Sequence, residues 1–189
     1  MRLIMNPTAI RYLPIVLLMV VILNACSHRI DKVSKSVTGS VMQGEMNYYS
    51  DSNILIYRSN VKLTADKEIF NPKSFYAKLP KGIACWTFSN SSSFIFLYPH
   101  NQAIAINVRL DNISLSDTTF IPNELEIDSF LNREISGSNN CDVRKIRIRS
   151  NRKQCFIQKG AATIFLYNIA KTRFSKYVDD LQQFRFLDN

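Results

Sequence analysis

The sequence predicts an α+β fold, in which a mostly antiparallel sheet of about six to seven strands is covered by two helices. Three observations predict this class. Short segments alternate apolar and polar residues with a period of two, two other segments have helical periodicity, and one helical segment separates the strands into two groups. A small β-barrel is the alternative architecture, but it would leave both helices without a place.

The composition supports a packed core. Of the 189 residues, 46% are hydrophobic and 11% are aromatic, whereas Gly and Pro number only 5 and 6. These values exclude a disordered or collagen-like chain. We therefore expect one globular domain preceded by an N-terminal appendage.

The first strands follow from alternation and turn signals. One strand is predicted over residues 53–58, and residues 62–82 are left unassigned because two prolines interrupt them. Short Asn/Ser and Pro-His-Asn turns then separate three strands of a meander, over 83–89, 93–98 and 102–110. In the third strand Ile104 and Ile106 alternate with small or polar residues, so we expect one buried and one exposed face.

A helix is predicted after Pro122. Asn123 and Glu126 have the spacing of a capping box, which satisfies two free backbone donors at a helix start. Gly137 supplies the stop signal. The apolar stripe that we expect to face the core consists of Leu125, Ile127, Phe130, Leu131 and Ile135.

The second half of the chain contains a predicted hairpin and a closing helix. Strands over 142–149 and 153–159 would pair around the polar turn between them, and another strand covers 162–169. Helical spacing of apolar residues predicts the closing helix over 172–187. This order of elements resembles the small αβα sandwiches of the PsbP/Mog1 type, a resemblance that carries no function.

The N-terminus has the order of a targeting segment. Residues 1–14 carry Arg2 and Arg11 without an acid, and the apolar run over 15–23 is too short for a bilayer span of about 20 residues. The segment resembles the type II signal peptide of bacterial lipoproteins, with Leu23-Asn24-Ala25-Cys26 as the lipobox. A plain secretory signal with an incidental cysteine is the alternative.

The resemblance implies cleavage before Cys26, which would receive a diacylglyceryl thioether and an N-acyl chain such as palmitate. Several acyl chains together anchor a protein firmly to a membrane. Ser27 stands where the inner-membrane retention signal of enteric bacteria places Asp, so we expect a periplasm-facing protein of the outer membrane.

Three regions follow from this interpretation. We expect the signal peptide over 1–25, the lipidated cysteine and a tether over 26–52, and a single α+β domain over 53–189. The alternative for the second region is that its valines dock onto the domain as an irregular strand.

The net charge of the chain is +9, and it is distributed unevenly. Acidic residues predominate over 111–134 and basic residues over 141–159. In the predicted strand over 142–149, alternation places Lys145, Arg147 and Arg149 on one face, and Arg152 follows in the turn. Such a row of cations suits phosphates or carboxylates, but it is also typical of a solvated edge strand.

Cys85, Cys141 and Cys155 remain after lipidation, so at most one intramolecular disulfide can form. The predicted hairpin places Cys141 about 23 Å from Cys155, which argues against that pair. Pairing of Cys85 with either of the others stays open, as does a set of three buried thiols.

No reaction can be derived from the sequence. The common nucleophile, phosphate-loop and zinc motifs are missing, and His28 and His100 are expected at the surface, so we predict no catalytic residue, metal or cofactor. We expect a non-catalytic envelope lipoprotein that binds a protein partner or assists assembly of an envelope complex. The alternative is a binder of an anionic lipid or glycan through the basic hairpin, and nucleic acid is not an expected partner.

Overall fold

The computed structural model describes residues 32–38, 43–59, 63–65, 68–70, 73–89, 93–109, 115–134 and 148–187. These residues form strands β1 to β13 and helices α1 and α2. In chain order the elements are β1 Lys32–Thr38, β2 Gln43–Tyr49, β3 Ile54–Ser59, β4 Leu63–Ala65, β5 Glu68–Phe70, β6 Phe75–Lys78, β7 Cys85–Ser89, β8 Ser93–Tyr98, β9 Gln102–Val108, β10 Leu115–Phe120, α1 Glu124–Glu134, β11 Arg152–Gly160, β12 Ala162–Ala170, α2 Lys171–Leu181 and β13 Arg185–Phe186.

The strands form two large antiparallel sheets. The first sheet has the order β1-β2-β3-β6-β13, and the second has the order β10-β11-β12-β9-β8-β7, while β4 and β5 pair only with each other. The α+β prediction is confirmed, and the sheets do not close into the alternative barrel. The expectation of one sheet of six to seven strands is corrected to two sheets, because β1, β2, β3, β6 and β13 form a sheet separate from the six-stranded one.

The main core lies between the two sheets. Tyr57 and Phe75 of the first sheet contact Phe94 of the second, with ring centroids 5.0 and 5.2 Å from Phe94. Tyr177 and Leu181 of α2 join the same core. Since each fully buried large apolar side chain stabilises the fold by about 1.5–3 kcal/mol, this layer holds the two sheets and α2 together.

The predicted meander is confirmed, with β7, β8 and β9 paired in antiparallel order. The expectation of one exposed face on the third strand is wrong, because every residue of β9 is buried. Ile104 and Ile106 belong to the main core, whereas Ala103 and Ala105 pack in a second core beneath α1. The small side chains, which we expected to face solvent, pack instead beneath helix α1.

Helix α1 begins as predicted. The backbone N–H of Asn123 donates to Glu126 Oε2 over 2.8 Å, and the backbone N–H of Glu126 donates to Asn123 Oδ1 over 2.9 Å. Ile127 and Leu131 are buried against the second sheet, but Leu125 is exposed, which corrects its assignment to the core stripe.

The closing helix is shorter than predicted. Helix α2 ends at Leu181, and the chain then turns back so that Arg185 and Phe186 pair with β6. Phe184 enters the main core between these two elements. The apolar residues after Leu181 therefore serve a turn and a strand.

The predicted tether is largely strand. Residues 32–38 and 43–49 form β1 and β2, and β2 pairs along its length with β3. The folded unit therefore begins by Lys32 instead of residue 53, and the docked alternative describes this segment. Met46 is buried in the main core, which supplies the apolar contact that holds β2 in place.

The predicted hairpin between 142–149 and 153–159 is also corrected. Strand β11 pairs on one side with β10 and on the other with β12, so neither edge is left for a strand over 142–149. Ile148 and Arg149 lie outside any strand, and the N–H of Arg152 donates to the carbonyl oxygen of Arg149 over 3.0 Å in a turn. Residues 141–147 lie outside the described residues.

Replacing Gly44 tests whether β2 belongs to the fold. A Cβ atom at Gly44 would clash with the backbone oxygen of Arg58 and lie 2.9 Å from the ring of Tyr57. We expect Gly44→Ala to lower the free energy of unfolding by about 1–3 kcal/mol, measured by denaturant titration. Ser52→Ala, in the exposed turn of the same hairpin, should change it by less than about 0.5 kcal/mol. Equal stability of the two variants would contradict the docked position of β2.

Candidate functional site

An open groove lies between strands β10 and β11 and helix α1. Its volume is about 390 Å³. Phe120 and Phe130 lie on either side of Phe156, with ring centroids 5.5 and 5.2 Å from it. We call this feature the apolar groove; it is lined by Phe120, Asn123, Leu125, Glu126, Ser129, Phe130, Phe156 and Thr163.

Leu125 in the groove lining and Ile121, which follows the lining residue Phe120 in the chain, have little cover. Ile121 is 82% exposed and Leu125 is 81% exposed, and Phe120 beside them is 40% exposed. Exposed apolar residues that adjoin one another at a concavity are typical of a binding surface, whereas scattered ones are not. This cluster is therefore the strongest indication of a binding surface among the described residues.

The lining of the apolar groove contains one acid, Glu126. Glu124, Glu126 and Asp128 of α1 are exposed, and all three lie in its first two turns. Asp117 on β10 is partly neutralised, because Lys159 Nζ donates to its carboxylate over 3.0 Å. The Lys159 hydrogen bond lowers the pKa of Asp117 from its ordinary value. A basic segment with apolar side chains would suit both the aromatic floor and Glu126.

The walls of the apolar groove are held by local contacts. The capping box at Asn123 sets where α1 begins, directly after the loop residues Ile121 and Pro122. On β10, the backbone N–H of Gly160 donates to Asp117 Oδ1, and Gln182 Nε2 donates to Thr119 Oγ1 over 2.8 Å. The exposed apolar side chains therefore project from fixed backbone positions.

A second concavity lies between the loop after β6 and helix α2. It has a volume of about 320 Å³ and is lined by Pro80, Lys81, Arg173, Lys176 and Tyr177. Its three cationic residues are all exposed, whereas Tyr177 is buried. We call this feature the cationic cleft. The first turn of α2 contains no acid and the helix has no side-chain cap, so nothing local neutralises the positive helix start.

The residues of the predicted basic row are only partly described by the structure. Lys145 and Arg147 lie outside the described residues. Arg149 is exposed, and its backbone N–H donates to Asn168 Oδ1 over 3.2 Å. Arg152 is partly buried, and its Nε has no hydrogen-bond partner among the described residues.

Sequence reasoning missed the cations of α2. Lys171, Arg173 and Lys176 occur within six residues of one another, which was a visible signal. The approach of Lys81 from a distant loop had no such signal, because it depends on where α2 packs.

Cys155 and Cys85 differ in their bonding. Cys155 is a free thiol, 1% exposed, so the predicted pairings that include it are excluded. Cys85 is disulfide-bonded. Of the pairings predicted from the sequence, Cys85 with Cys141 remains, and Cys141 lies outside the described residues.

The described residues hold no recognisable reaction centre. His100 lies exposed in the turn between β8 and β9, with a left-handed φ of 64°. Among these residues, no three His, Cys, Asp or Glu side chains lie close enough together to share a metal ion. The same part of the chain contains no helix that is both long and apolar enough to cross a bilayer.

Neither a protein-family model, nor a curated protein, nor a solved structure matches this chain. The apolar groove and the cationic cleft are therefore interpreted from their own geometry.

Burial makes the Cys155 thiol unreactive. Desolvation raises its pKa from 9.0 to about 11. At pH 8 we expect native protein to react with a thiol reagent at least about a hundredfold more slowly than protein unfolded in denaturant, measured by mass spectrometry. Because the neutral thiol is favoured in the folded state, its contribution to stability is complete below pH 9.0 and is lost as the pH rises through 11. Fast native labelling of Cys155 would contradict its burial.

Proposed function

We propose that this chain is a non-catalytic bacterial envelope lipoprotein that binds a protein partner, or assists assembly of an envelope complex, through the apolar groove. The observation that carries the proposal is the pair of apolar side chains, Ile121 and Leu125, each more than four-fifths exposed beside an aromatic floor. The signal-peptide resemblance of residues 1–26 supports the envelope location.

Energetics favours a partner at this groove. Burying one large apolar side chain contributes about 1.5–3 kcal/mol, and Ile121 and Leu125 leave this contribution unused in the isolated chain. Because the capping box holds the start of α1, little conformational entropy is lost when a partner covers these side chains. Preorganisation of this kind favours affinity because it lowers the cost of association.

The charge around the groove restricts the partner's chemistry. Glu126 is exposed in the groove lining beside Leu125, so the partner segment would carry Lys or Arg beside one or two apolar anchors. Strand β10 lies at the end of the described strand order, and a partner segment in extended form could follow its edge. The proposed occupant is thus a basic, partly apolar protein segment.

Lipid anchoring is proposed at Cys26, with the domain facing the periplasm from the outer membrane. We expect Cys26→Ser to abolish incorporation of an alkyne-labelled palmitate and to remove the mature protein from the outer-membrane fraction. Ser27→Asp is the matched variant: it should keep the label in an enteric host but move the protein to the inner-membrane fraction. Undiminished labelling of Cys26→Ser would refute the anchor assignment.

A photo-crosslinking amino acid at Ser129, inside the apolar groove, tests the partner proposal in cells. We expect a discrete protein adduct, and we expect Ile121→Lys with Leu125→Lys to weaken partner binding at least about thirtyfold, because both apolar anchors are lost and a basic partner is repelled.

Leu115→Lys is the matched control, since Leu115 is an exposed apolar residue of β10 outside the groove lining. It should leave the adduct unchanged. Absence of any protein adduct from folded, membrane-localised protein, or equal adduct yield in the double variant, would refute binding at this groove.

A further inference from the structure

The cationic cleft lies at the end of the first sheet where the folded unit begins. Lys32 of β1 is paired with Tyr49, Tyr49 with Ile54, and Ile54 with Lys78. These four residues therefore form one line across neighbouring strands. Since adjacent strands are about 4.8 Å apart, the backbone of Lys32 lies about 14 Å from that of Lys78.

The cationic cleft lies next to Lys78, the last residue of this row. The N–H of Leu79 donates to the carbonyl oxygen of Asn53 over 2.7 Å, and Pro80 and Lys81 follow at once. Helix α2 is held to the same place by Lys78, whose Nζ lies 3.3 Å from Asp180 Oδ1. The chain entry and the cleft therefore share one end of the domain.

Further cations surround the cleft at this end. Arg152 is paired with Ala170, which directly precedes α2, and Lys153 Nζ lies 5.0 Å from the ring centroid of Phe174. Of the exposed charged residues of α2, Asp179 is an acid and Lys171, Arg173 and Lys176 are cations. Lys81, in the loop after β6, adds a fourth exposed cation, and three of these four cations line the cleft.

The length of chain before Lys32 limits how far this end can lie from an anchor at Cys26. Lys32 lies six positions after Cys26, with five residues between them. A fully extended segment of this length spans about 20 Å, whereas a tether that ended at residue 52 would reach much farther. An acylated Cys26 would thus hold the entry end of the domain close to the lipid headgroups.

We propose that the cationic cleft binds the phosphate groups of anionic lipids in the bilayer that carries the anchor, so that the domain rests on the membrane by this end. Lys81, Arg173 and Lys176 supply the charge, and the open concavity admits a headgroup. The bilayer as the source of phosphate depends on the proposed acylation of Cys26, while the affinity of the cleft for phosphate does not. The anionic-lipid alternative from the sequence is thereby retained at a different site.

Hydrogen exchange of the mature protein in nanodiscs tests this proposal. Discs of phosphatidylcholine are compared with discs containing about 30% phosphatidylglycerol. We expect slower exchange in the loop over 81–83 and in the first turn of α2 only in the anionic discs. Because each cation near an anionic surface changes the equilibrium about fivefold, Arg173→Gln with Lys176→Gln should weaken this contact roughly thirtyfold. Raising the salt concentration should also weaken it.

The matched control is Arg58→Gln with Lys73→Gln, which removes the same charge away from the cleft lining. It should keep the protection. Equal exchange in both kinds of disc, or equal loss in both double variants, would overturn the proposal. Equal protection by millimolar inorganic phosphate in neutral discs would assign the cleft to a soluble phosphate and overturn its membrane role.

Failure of lipid binding at the cleft can be distinguished from failure of the proposed lipid anchor. If Cys26 carries no lipid, the protein fails to co-migrate with neutral discs in gel filtration, yet anionic discs added to it still report on the cleft. If Cys26 is acylated but the cleft binds no lipid phosphate, the protein co-migrates with neutral discs. Its exchange pattern is then the same in neutral and in anionic discs. Neither result bears on the protein adduct formed at the apolar groove.

Discussion

The fold depends on the burial of the second sheet on both faces. On one face, Tyr57 and Phe75 of the first sheet pack on Phe94; on the other, Phe130 of α1 packs on Phe165, with ring centroids 5.2 Å apart. Either cover, if removed, would expose several large apolar side chains, each worth about 1.5–3 kcal/mol. The first sheet is therefore part of the fold, and so are the N-terminal strands that form it.

Both candidate binding surfaces result from this arrangement. Helix α1 needs only one side to cover the sheet, which Ile127 and Leu131 provide, so Leu125 is left facing outwards above the apolar groove. Helix α2 likewise closes the main core with Tyr177 and Leu181 and turns its cations away from it. The groove lining carries one acid and no cation, whereas the cleft lining carries three cations, so the two surfaces suit different partners.

The features that sequence reasoning predicted correctly are local. The capping box at Asn123 needs only residues three positions apart, and the β7–β9 meander needs only short turns between neighbouring strands. The errors concern distant pairing. Strand β10 pairs with one edge of β11 and is exposed along its whole length. Because neither of its faces is buried, its sequence has no alternation of apolar and polar residues that would predict a strand. Because β11 pairs with β10 on one edge and with β12 on the other, a strand over 142–149 could not pair with it to form the predicted basic hairpin.

The sequence by itself determined the α+β class, the meander, the start of α1 and the uneven distribution of charge. Tertiary structure decided that residues 32–38 and 43–49 are strands of a sheet, that both faces of β9 are buried, that Leu125 is exposed and that Lys81 meets Arg173 and Lys176. The physical reason is that side-chain periodicity defines which residues share a face, whereas the element that covers that face is selected by contacts between distant parts of the chain.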